Sequence, residues 1–267
     1  MTTPTEAVTQ SAAQTCPKRA SQTKGVTQTP PRHKPEYSLL TVPSPPPPKR
    51  HPYDQWAPDA RALDLVGDKW TLLIVRDLSG GPRRFVELQR VLPGISTEQL
   101  RSRLNRMVAD GLLTRRRYRE VPPRVDYELT PRARELLPVV GELARWGLVW
   151  AWGAPRPGER IDVGAIFRAA PGLVHMAGRS ATVELTVALP DGREAVSTLT
   201  GEGNAVRLTE APASAPDARV AGTQEAWISA LGPAADRAGL VVEGDTALAA
   251  SLLDELACAP AAERAIA

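Results

Sequence analysis

Residues 93–108 read Pro93-Gly94-Ile95-Ser96-Thr97-Glu98-Gln99-Leu100-Arg101-Ser102-Arg103-Leu104-Asn105-Arg106-Met107-Val108. Pro93-Gly94 makes a tight turn. Ser96 followed three residues later by Gln99 is a capping box: the hydroxyl takes the Gln99 amide, and the Gln99 side chain reaches back to the Ser96 amide. A helix therefore begins here. Leu100, Leu104, Met107 and Val108 recur at helical spacing and share its inner face. Thr97, Arg101, Ser102, Asn105 and Arg106 remain on the other side, which is polar and basic.

Upstream, a short helix carries Phe85, Leu88 and Leu92 inward. Two helices joined by a brief turn containing glycine form a helix-turn-helix, a class whose second helix enters the DNA major groove. The chemistry suits that task. Arginine can grip a guanine edge with two donors, Asn or Gln can do the same for adenine, and the amides at the Ser96 end can meet phosphate. Further upstream, Ala62, Leu65 and Val66 mark one helix. Gly67 stops it, and Asp68 caps a second helix bearing Trp70, Leu73, Ile74 and Leu78.

Downstream, Thr114–Arg119 and Val125–Leu129 predict a hairpin around a loop with Pro122 and Pro123. Val125, Tyr127 and Leu129 alternate with Asp126 and Glu128, as in a strand with one buried face. Such a hairpin is a wing, with its arginines lying along phosphates. A surface hairpin without a partner is the plainer alternative. Thr130 and Pro131 then predict one helix running to about Trp152. Its apolar residues cover more than one face, which points to a homodimer interface; burial against both halves of its own chain is the alternative.

Charge agrees with a polyanion partner. Net charge is +3 overall, but residues 83–124 carry eleven arginines against four acids, giving +7, while 153–267 carry nine basic and fifteen acidic residues, giving −6. A solvated charged face is the bland reading of such a run. The candidate DNA-binding residues are Ser96, Thr97 and Gln99 at the helix start; Arg101, Ser102, Arg103, Asn105 and Arg106 along it; Arg83 and Arg84 ahead of it; and Arg117, Arg119 and Arg124 on the wing. Arg101, Ser102 and Asn105 are expected at base edges, and Arg106, Arg117, Arg119 and Arg124 mostly at phosphates.

The ordered set Ala60–Leu78, Gly81–Leu88, Leu92–Ser96, Asp110–Leu113, Val121–Thr130 and Ala144–Gly147 resembles the HxlR-type winged-helix regulators across about 53–150. The resemblance implies a homodimeric regulator that binds double-stranded DNA. Many members carry a cysteine directly before the proline opening the first helix; here that position is Ala57, before Pro58, and neither Cys16 nor Cys258 replaces it. Thiol sensing at that site is therefore not expected.

Three segments are expected: a disordered, basic, Pro-rich tail over 1–52, in which Lys49 and Arg50 read as plain tail with DNA contact as the alternative; a mainly-α winged helix-turn-helix over 53–152; and an α+β domain with a mainly antiparallel sheet over 153–267. In the last, Asp162 is read as the cap of a helix with Val163, Ile166 and Phe167, and Asp191-Gly192 as a hairpin turn. Ala218–Trp227, Val241–Asp245 and the Leu-rich last helix resemble the end of the sterol carrier protein fold, which implies an apolar ligand sheltered between sheet and helices. Two other readings stand beside a ligand sensor: a structural module reinforcing the dimer, and a lipid carrier fused to a DNA-binding part. Phe167 and Trp227 read more readily as core than as pocket lining.

Other classes are excluded at this level. His33, His51 and His175 are scattered, and the two cysteines form no ligand motif, so neither metal nor cofactor is expected. No Ser/His/Asp set or glycine-rich phosphate loop can be assembled, so the chain is not read as an enzyme. No apolar run approaches the length of a membrane span, and no export signal is evident, so a cytoplasmic location is expected.

Overall fold

The computed structural model describes residues 52–119, 124–176 and 180–257. The tail, Cys16, Cys258 and the wing-loop residues Val121–Pro123 lie outside the described residues.

The N-terminal half runs α1 (Pro58–Val66), α2 (Thr71–Asp77), β1 (Arg83–Arg84), α3 (Phe85–Val91), α4 (Thr97–Ala109), β2 (Leu113–Tyr118), β3 (Arg124–Leu129), α5 (Pro131–Arg134) and α6 (Leu137–Trp150). Local chemistry explains the starts. Pro58 opens α1 with its φ already fixed. The Asp68 carboxylate accepts the amides of Trp70 and Thr71 at 2.9 and 3.1 Å, and the Thr130 hydroxyl accepts the Ala133 amide at 3.2 Å. Ile74, Leu78, Leu88, Leu100, Leu104, Met107 and Leu129 form one buried core.

Two expectations for this half are corrected. The predicted helix from Pro131 to Trp152 is two helices, because Pro138 has no amide to continue the ladder from α5 and sits instead in the first turn of α6. Asp126, expected to face solvent, is only 2% exposed. Arg124 folds back along the strand and pairs with it at 2.6 Å, which offsets the cost of burying the carboxylate. Strand β1 was not anticipated. It pairs antiparallel with β3, Arg83 opposite Tyr127, and makes the wing a three-stranded sheet of order β1-β3-β2.

The C-terminal half runs α7 (Val163–Leu173), β4 (Thr182–Ala188), β5 (Glu194–Glu202), β6 (Ala205–Thr209), β7 (Ala218–Thr223), α8 (Gln224–Leu231), β8 (Val241–Gly244) and α9 (Thr246–Ala257). The sheet order is β6-β5-β4-β7-β8, antiparallel except for the central β4–β7 pair. The Asp191-Gly192 turn closes β4 to β5, with Gly192 at φ +80°. Phe167, Leu185, Leu199, Trp227, Leu252 and Leu253 fill the layer between sheet and helices. The Phe167 and Trp227 rings meet edge-on at 4.9 Å, and the indole donates to the Thr186 carbonyl at 2.9 Å. Asp162 makes no side-chain cap to α7; its carboxylate goes to Arg168.

The two cores adjoin where α6 crosses α7. A Cβ on Gly141 would strike the Gly172 backbone, and one on Gly172 would strike the Leu137 carbonyl, so only glycine lets the helices approach this closely. Ala169 of α7 packs into the N-terminal core. Among the described residues no helix is long and apolar enough to cross a membrane.

Candidate nucleic-acid interface

Helix α4 is held at its start by the expected capping box. The Gln99 amide donates to Ser96 Oγ at 3.2 Å and the Ser96 amide to Gln99 Oε1 at 3.1 Å. Gly94, at φ +83°, makes the turn from α3. Gln89 Nε2 donates to Thr97 Oγ1 at 2.7 Å and ties the two helices across that turn. Leu100, Leu104 and Met107 are buried. Thr97, Gln99 and Arg101 are exposed, while Ser102, Asn105 and Arg106 are half-buried at its flanks.

The arginines divide into two sets. Arg101 pairs with Glu98 one turn back at 3.0 Å, with both side chains in solvent. Such a pair is weak, and a phosphate or base edge can replace it. Arg117 and Arg119 are exposed on the wing and have no carboxylate partner among the described residues. Arg84 is exposed as well. The second set is committed elsewhere. Arg103 reaches Asp68 at 2.8 Å and fixes α4 against the start of α2. Burial lowers its guanidinium from the ordinary value; Asp68 opposes that and Arg106 adds to it. Arg83 gives its Nε to the Asp77 carbonyl and a terminal nitrogen to Glu210, both at 2.6 Å, so it faces the C-terminal half. Arg124 pairs with Asp126 and lies over the Tyr118 ring at 5.2 Å. On the wing's other pairs, Arg115 lies over Tyr127 at 5.8 Å and Arg116 meets Glu128 at 3.2 Å.

Sequence reasoning thus grouped Arg83, Arg103 and Arg124 with the exposed arginines, although each of the three is tied to a carboxylate. It also missed the ion-pair cluster in which Asp77 and Arg168 are buried while Asp162 and Glu210 reach the surface. A usable signal existed: Asp77 and Arg168 each interrupt an apolar helical face, and a charge on such a face needs a partner.

A second surface lies apart from α4. Val139, Leu143, Trp146, Val149 and Trp150 form an exposed stripe along α6, with Trp146 59% exposed. Trp56, before α1, is 96% exposed and borders an open apolar concavity with Ala57, Pro58 and Arg61.

Among known proteins, the family model of the HxlR-like helix-turn-helix matches residues 65–153. An uncharacterized HTH-type transcriptional regulator of Synechocystis sp. is 41% identical over 93 residues, covering 35% of this chain and 69% of that protein. One of Halalkalibacterium halodurans is 42% identical over 95 residues, covering 35% of this chain and 84% of that protein. Among solved structures, the reduced form of the transcriptional regulator YodB from B. subtilis is 30% identical, covering 39% of this chain and all of that one, with a TM-score of 0.33. With the Synechocystis and Halalkalibacterium relatives each covered over more than two thirds of its length, the chain belongs to the HxlR-like helix-turn-helix family.

Proposed function

We propose that the protein is a transcriptional regulator that binds double-stranded DNA sequence-specifically as a homodimer. One observation carries this reading. Helix α4 buries Leu100, Leu104 and Met107 and exposes Arg101, with Ser102 and Asn105 half-buried at its flanks, beside a wing whose Arg117 and Arg119 lack carboxylate partners among the described residues. The names of the matched relatives support it. In this mechanism the α4 amides at Ser96–Gln99 meet a phosphate, Arg101, Ser102 and Asn105 read base edges, and Arg106, Arg117 and Arg119 follow the backbone.

The α6 stripe and Trp56 supply the surface for a second copy. Two-fold symmetry then sets the two recognition helices about one DNA turn apart, so the target is an inverted repeat. Selection from a random duplex library tests this. Recovery of an inverted repeat is expected; failure to enrich any duplex overturns the DNA-binding reading.

For the C-terminal half the packing favours a structural role over an apolar-ligand sensor. A sensor needs a cavity between sheet and helices, and Phe167 and Trp227 occupy that layer at 1% and 0% exposure.

A further inference from the structure

The end of α2 and the base of the wing are held by charges from the C-terminal half. Arg168, on α7 and 4% exposed, donates through Nε to Asp77 at 2.8 Å, through one terminal nitrogen to Glu210 at 3.2 Å and through the other to Asp162. Asp77 is fully buried. Glu210 also binds Arg83, both carboxylate oxygens lying 2.6 Å from one guanidinium nitrogen. Ser79 Oγ closes the ring by donating to the Arg168 carbonyl at 2.7 Å. Burial pulls the Arg168 guanidinium down, but Asp77, Asp162 and Glu210 outweigh it and leave it raised above its ordinary value.

This cluster touches the wing through backbone as well as charge. Arg83 is a residue of β1, opposite Tyr127 of β3, and Tyr127 is opposite Arg115 of β2. The strand that Glu210 grips is therefore the inner edge of the wing sheet. Glu210 in turn follows β6 directly, so the C-terminal sheet sets its place. Gly80 lies beside them: a Cβ there would come 3.3 Å from the Leu208 side chain and 3.4 Å from that of Glu210. Without Glu210, Arg83 keeps only the Asp77 carbonyl for a largely buried charge, and β1 loses its hold. A wing that must be ordered on binding costs affinity.

We propose that Glu210, acting through Arg83 and Arg168, is a positioning residue for the wing, so that the C-terminal half is a working part of the DNA-binding surface. This rests on the DNA-binding reading above. The test uses the full chain, a duplex selected from a random library, and two measurements: duplex affinity and amide hydrogen exchange. Glu210→Gln removes the charge and keeps the shape. It is expected to weaken binding about five-fold or more and to speed exchange at 83–84 and 124–129, leaving α9 as in the wild type. Leu253→Ala, in the C-terminal core, is the control: faster exchange in α9 with unchanged affinity. Arg83→Met added to Glu210→Gln is expected to cost less than the sum of the two single changes, because both remove the Arg83–Glu210 contact. Wild-type affinity and wing exchange in Glu210→Gln overturn the proposal, as does tighter binding, or an affinity loss matched by Leu253→Ala. If the wild type binds no duplex, the DNA-binding reading falls, and the exchange comparison alone decides whether Glu210 holds the wing.

Discussion

Arg101 and Arg103 stand two positions apart on α4 and have different partners. Arg101 is exposed and held only by a solvent-facing pair with Glu98. Arg103 is tied to Asp68, with both side chains 23% exposed. Arg101→Ala is therefore expected to relax preference at one base position, costing on the order of 1–3 kcal/mol there, while folding stability stays put. Arg103→Ala is expected to lower folding stability by about 1–2 kcal/mol, between the values for exposed and buried pairs. Denaturant unfolding beside binding to single-base variants of the selected duplex separates the two. An Arg103→Ala protein of wild-type stability with altered base preference would reverse the assignment. Arg117→Ala should instead weaken all duplexes alike and reduce the salt slope by about one.

Elements were legible in the sequence where their signal was local. The Ser96/Gln99 box, the Asp68 cap, the Pro58 start and the Asp191-Gly192 turn each depend on residues within four positions, and each forms as read. What failed to show depended on distance. Strand β1 is two residues long and exists only through pairing with β3, more than forty positions away. Asp77 and Arg168 meet across 91 residues, and no local pattern carries that. The α5–α6 break was readable from Pro138, but the apolar run on both sides masked it. Two expectations follow at this scale. Ser96→Ala should cost about 1 kcal/mol of stability by leaving a first-turn amide without its acceptor. Gly172→Ala should cost on the order of 3 kcal/mol or more, because the added methyl falls on the Leu137 carbonyl at the α6–α7 crossing and neither backbone can yield. Thermal unfolding of both variants checks the order; a Gly172→Ala protein more stable than Ser96→Ala would show that the crossing relaxes easily.

Across the whole molecule, the N-terminal half hides its core and yet leaves five large apolar side chains in one line on α6. Contact with the C-terminal half does not cover them: α7 takes the α6 face bearing Gly141, and Trp152, beyond the helix end, is tied to the Leu231 carbonyl at 2.9 Å. A stripe of this kind, with Trp56 exposed besides, exceeds what a monomer keeps in water without cause. A stable homodimer needs about 800 Å² buried per partner, and aromatic anchors at its centre would supply most of the affinity. Trp146→Glu is the sharp test, because Trp146 is exposed and its loss should leave the fold of each copy intact. Light scattering at micromolar concentration should give a dimer for the wild type and a monomer for the variant. Affinity for a duplex carrying both half-sites should then fall to that for a single half-site, since the second contact no longer benefits from being tethered to the first. A wild-type monomer, or a Trp146→Glu dimer with undiminished affinity, would mean that α6 serves another purpose and that the two recognition helices are spaced by some other surface.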